Sequence, residues 1–105
     1  MAYNPPKEIA EYIDKWANHW GANPDTLSCV LFHESTYRTD VYGDSGKAYG
    51  IAQFHLPTFQ WFRAKMGLNG SDMRGGAESS IEVMAWAFAH GYGNHWTPYK
   101  DGRCL

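Results

Sequence analysis

Apolar positions recur at helical spacing in four stretches of the chain. In the first, Ile9, Tyr12, Ile13, Trp16 and Trp20 share one face, while Glu8, Glu11, Asp14 and Lys15 fall on the other. Asn4 can cap this helix, Pro5 suits its first position and Gly21 suits its end. Glu11 and Lys15 are spaced for an ion pair one turn apart. The second stretch opens with Asn23, Pro24 and Asp25, the same capping pattern. Leu27, Val30 and Leu31 form its stripe, and the next position on that stripe is Glu34. Cys29 and Phe32 lie on the opposite side, which predicts a helix buried on both faces and ending near Tyr37. A third helix is predicted over 57–66, with Phe59, Phe62 and Met66 inward and Gly67 closing it. The fourth, over 77–90, is apolar nearly all round and belongs at the centre of the core.

Between these stretches the pattern breaks. From Val41 to Gly50 turn formers dominate, leaving room for one short hairpin or an irregular loop. Residues 68–76 read as a surface loop. The tail from Gly91 onward is aromatic, Gly-rich and expected to be non-helical. The result is a mainly α single domain over 1–105, with about four helices and a small β element.

Composition narrows the function classes. At 105 residues, 44% of them hydrophobic, the chain can bury one modest core. Its net charge of -2 and lack of a Lys/Arg run argue against nucleic acid as a partner. No apolar run is long enough to cross a membrane, and the first residues lack a signal-peptide pattern. Five Trp and seven Tyr suit a core of large rings or a sugar-binding groove, since flat rings offer an apolar face and a polar edge. Cys29 and Cys104 form either a disulfide or two thiols. The bridge is favoured if the protein works outside the cytoplasm.

Glu34 is the first candidate for chemistry. A carboxyl among apolar side chains, in the last turn of a helix, has two reasons for a raised pKa. That suits a general acid near neutral pH. The plain alternative is a surface pair with Arg38. His33-Glu34 also opens a zinc-protease pattern, but the required second His would be at position 37, which is Tyr. No metal or cofactor is expected. Asp44, in Gly43-Asp44-Ser45-Gly46, is either a turn residue or a second carboxylate that orients a water. Asp40 competes for that role.

Glu34-Ser35, then Gly43 to Phe54 (GDSGKAYGIAQF), then Thr58, resembles the lytic transglycosylase and goose-type lysozyme group. Trp96-Thr97-Pro98-Tyr99 is similar to the closing segment of short bacterial members. The resemblance spans about 24–100 and implies an α+β lysozyme-like fold, with helices around a buried catalytic helix. It implies cleavage of the bond between N-acetylmuramic acid and N-acetylglucosamine in peptidoglycan glycan strands. Glu34 would be the acid and then the base. Ser35, Gln53 and Phe54 would form the substrate site with Tyr49, Tyr92 and Trp96 lining the groove. Ala52 stands where the group usually has Met or Phe, which would open the neighbouring subsite. The protein is expected to act outside the cytoplasm as a monomer. Two other classes compete: a non-catalytic glycan-binding module on the same fold, and a structural or interaction domain.

Overall fold

A computed structural model describes residues 3–105. Helix α1 spans Lys7–Trp20. It starts two residues later than expected, with Pro6 rather than Asn4 at the cap. Asn4 and Pro5 each precede a proline, which drives both out of the helical region. Ile9, Ile13 and Ala17 are buried on the predicted face, and Gly21 closes the helix at φ +87°. Lys15 does not pair with Glu11. It reaches Glu78 at 2.7 Å, and the Trp16 Nε1–H donates to the same carboxylate at 3.0 Å.

Helix α2 spans Pro24–Ser35, and Asn23 Oδ1 accepts the backbone N–H groups of Asp25 and Thr26. Leu27, Val30 and Leu31 are fully buried. The helix ends two residues early because Thr36 and Tyr37 turn left-handed, at φ +51° and +65°. Burial on its second face is only partial. Cys29 is covered through a disulfide to Cys104, whereas Phe32 is 38% exposed against the rings of Tyr3 and Tyr37.

The expected hairpin is present and gains a third strand. Strands β1 (Tyr42–Gly43), β2 (Ala48–Tyr49) and β3 (Phe54–His55) form an antiparallel sheet in that order. Gly43 faces Ala48, and Ala48 faces His55. A two-residue strand running directly into a helix leaves no period in the sequence, which is why β3 escaped prediction.

Helix α3 (Leu56–Lys65) leads through the 68–76 loop to α4 (Ala77–Ala89). Ile81, Val83, Met84, Ala85 and Ala87 are fully buried, so α4 is the core helix, packed chiefly on α1. The tail is not irregular, as expected, but folds into a 3-10 turn at Gly93–His95 and a short α5 at Thr97–Lys100. Tertiary contacts set its course: Trp96 stacks on Phe88, Tyr99 packs edge-on to the same ring, and the disulfide anchors the end. The architecture is mainly helical with a small antiparallel sheet, the α+β lysozyme-like arrangement.

Candidate active site

Glu34 emerges from the last turn of α2, half-buried, with no ion pair or side-chain hydrogen bond among the described residues. Arg38 donates instead to the Ser35 carbonyl at 3.2 Å, so the rival surface pair is not formed. Burial lifts the Glu34 pKa above its ordinary value, while the positive charge of Arg103 pulls the other way. The carboxyl opens into a cavity of about 320 Å³.

Asp44, Gln53, Phe54 and Trp96 line the same cavity, as do Ala48, His55, Thr58, His95 and Thr97. Asp44 stands at φ +51° in the β1–β2 turn, a conformation Asp tolerates better than most residues. Its Oδ2 lies 2.7 Å from His55 Nε2. Gln53 is also left-handed, at φ +53°. Its amide nitrogen donates to the carbonyls of Val41 (3.0 Å) and Gly50 (2.9 Å). These bonds fix the side chain and leave its amide oxygen for another partner. A Cβ at Gly43 would fall 2.2 Å from that oxygen, so glycine is what makes room for it.

The remaining sequence candidates lie off the cavity lining. Ser35 is 3% exposed, and its hydroxyl donates to Ile51 O at 2.7 Å, joining the end of α2 to the turn that carries Gln53. Tyr49 packs at a tilt against Tyr42 and lies under the Arg74 guanidinium. Tyr92 packs among Phe62, Trp86 and Trp61. Asp40 is exposed and absent from the lining. Trp96 lines the cavity but is only 4% exposed, because its Nε1–H donates to Ala52 O at 2.9 Å. Ala52 itself is fully buried. His55, His95 and Thr97 were not singled out from sequence. A lone His or Thr carries no local signal of a site formed by the packing of distant segments.

Arg74 braces the sheet. It holds Asp72 through two bonds, at 2.8 and 2.9 Å, and donates to the carbonyls of Lys47 (3.2 Å) and Phe54 (3.1 Å). Gly50 at φ +89° lets the backbone of Arg74 pass close by.

The transglycosylase SLT domain family matches residues 11–98. The chain belongs to this family. The match takes in α2 with Glu34, the three-stranded sheet, α3, α4 and the segment bearing His95 to Pro98. No curated protein and no solved structure matches the chain. Membership in the transglycosylase SLT domain family ties the chain to peptidoglycan-cleaving lytic transglycosylases. Among the described residues no helix is long and apolar enough to cross a membrane.

Proposed function

We propose that the chain cleaves the β-1,4 bond between N-acetylmuramic acid and N-acetylglucosamine in peptidoglycan, with Glu34 as general acid and then general base. The observation that carries this reading is an unpaired, half-buried carboxyl with a raised pKa, opening into a cavity beside Gln53 within the family match. Protonated Glu34 gives its proton to the leaving glycosidic oxygen as the bond to the muramoyl anomeric carbon breaks. The resulting carboxylate then takes the proton of the hydroxyl that attacks that carbon. In lytic transglycosylation the attacker is the 6-hydroxyl of the same muramoyl unit, and the product is an anhydro sugar. A water in that place gives a free reducing end instead. Phe54 and Trp96 form an apolar part of the lining, and the free amide oxygen of Gln53 accepts from a sugar N–H or hydroxyl. The protein works on the outer side of the cytoplasmic membrane as a monomer.

Digestion of purified peptidoglycan with mass spectrometry of the products tests this. The wild type releases muropeptides, and Glu34→Gln loses on the order of 10³-fold in rate while staying folded. Unchanged release by Glu34→Gln would rule out Glu34 as the acid. Binding without release by the wild type would mark a glycan-binding module.

A further inference from the structure

The sheet register places Gly43, Ala48 and His55 in one cross-strand row. Facing residues of adjacent strands project on the same side of a sheet. Ala48 and His55 both line the cavity, so this row contributes to the cavity wall. The two residues before His55 in the row are the two smallest side chains, and the imidazole therefore reaches across the middle strand to the turn. There its Nε2 meets Asp44 Oδ2 at 2.7 Å. A carboxylate only accepts, so this close pairing works where Nε2 carries a proton, and the second Asp44 oxygen has no side-chain partner among the described residues. Asp44 sits in a turn whose residues Asp44, Ser45 and Gly46 all have left-handed φ. Without His55 its side chain would have no fixed direction, since it makes no other side-chain contact of this kind among the described residues.

We propose that His55 is a positioning residue: it holds Asp44 so that the free carboxylate oxygen orients a water in the Glu34 cavity, giving this transglycosylase-family chain a hydrolytic branch. This rests on the reading of Glu34 as the acid. In that branch the water oxygen bonds to the anomeric carbon as the glycosidic bond breaks. One water proton passes to Asp44, which replaces Glu34 as the base in this branch, and the leaving oxygen keeps the proton from Glu34. Asp44 is largely exposed and His55 half-exposed, so the contact adds little to folding and its value lies in direction.

The test uses soluble peptidoglycan fragments in heavy-oxygen water, where only hydrolysis labels the new reducing end. The wild type forms labelled product. His55→Phe lowers kcat for that product 10- to 100-fold, with KM within about 2-fold and an unchanged Tm. His55→Gln, whose amide N–H can replace Nε2–H, restores most of it. Ala48→Val, which blocks the path across β2, behaves like His55→Phe. A wild type that makes no labelled product overturns the inference. So does a His55→Phe variant with unchanged labelling, or a loss of labelling that follows Tm and that His55→Gln does not rescue. Glu34→Gln serves as the separate control. If it keeps both products, the acid assignment fails; if it loses both while His55→Phe keeps labelling, only the role of His55 fails.

Discussion

The α1–α4 scaffold and the segment from Glu34 to His55 are held by different means. The scaffold is regular helix, its buried contacts are mainly apolar, and Ile13, Ile81, Val83 and Met84 are almost wholly out of water. The site segment is mostly turns. Every non-glycine residue with a left-handed φ among the described residues lies in it: Thr36, Tyr37, Asp44, Ser45 and Gln53. It is held by side chains bonding to backbone, as in Ser35 to Ile51, Gln53 to Val41 and Gly50, and Trp96 to Ala52. Such conformations cost roughly 1–3 kcal/mol each and persist only where the surroundings over-determine them. The scaffold supplies stability through non-directional burial. The site segment uses directional bonds to fix where polar groups point, which is what a reaction needs.

The largest effect expected outside the chemistry itself is on the anchor that ties the tail to α2. The Cys29–Cys104 disulfide closes a span of 75 residues from α2 to the tail. Replacing both cysteines with serine should cost about 4 kcal/mol, read from denaturant unfolding. A loss under about 1 kcal/mol would mean the tail is fixed by its aromatic packing alone.

A pair of substitutions of similar cost separates scaffold from site. Ile13→Ala should remove about 3 kcal/mol of stability through the cavity it leaves. Activity per folded molecule should stay within about 2-fold. Gly50→Ala should cost about 2–3 kcal/mol, because a Cβ there meets the Arg74 carbonyl at 2.1 Å and φ is +89°. It should also depress kcat, since Gly50 O holds Gln53. Equal losses of kcat in both variants would break the distinction.

Ser35→Ala sharpens it further. Removing the hydroxyl leaves the buried Ile51 carbonyl without this donor, at about 1–2 kcal/mol. Activity should fall with it, because Ser35 anchors the Gln53 turn next to Glu34.

The smallest expected effect concerns Glu34. Burial raises its pKa, so the folded protein holds that proton more tightly than the unfolded chain does. The corresponding stability is fully present below the ordinary value of 4.5 and is lost as pH rises through the folded value. Glu34→Gln should therefore have a higher Tm than the wild type at pH 7, and the gain should vanish below 4.5. A variant less stable than the wild type at neutral pH would show that the ionised carboxyl is stabilised after all. Removing the charge of Arg103 by Arg103→Gln should move the alkaline limb of the pH–rate profile upward, as Arg103 favours the anion.

Much of the fold was legible in the chain. The apolar periods located all four long helices, with ends shifted by one or two residues, and placed the fourth at the centre. Those shifts have local causes: consecutive prolines ahead of α1, and left-handed Thr36 and Tyr37 after α2. Glu34, Asp44, Gln53, Phe54 and Trp96 were singled out from sequence and share one cavity. Ser35, Tyr49 and Tyr92 were singled out with them and pack elsewhere, because a residue's neighbours along the chain do not say which way its side chain points.

The sequence by itself determined the four long helices, the turn-rich gap between Glu34 and Phe54, and a carboxyl on an apolar stripe. These follow from spacing, capping and the cost of burying charge, all of which act within a few residues. Only the tertiary structure decided the third strand, the course of the tail, the Cys29–Cys104 bridge and the meeting of Asp44 with His55. Each depends on segments well separated along the chain meeting in one place. Such contacts are set by strand register and by the packing of the whole core.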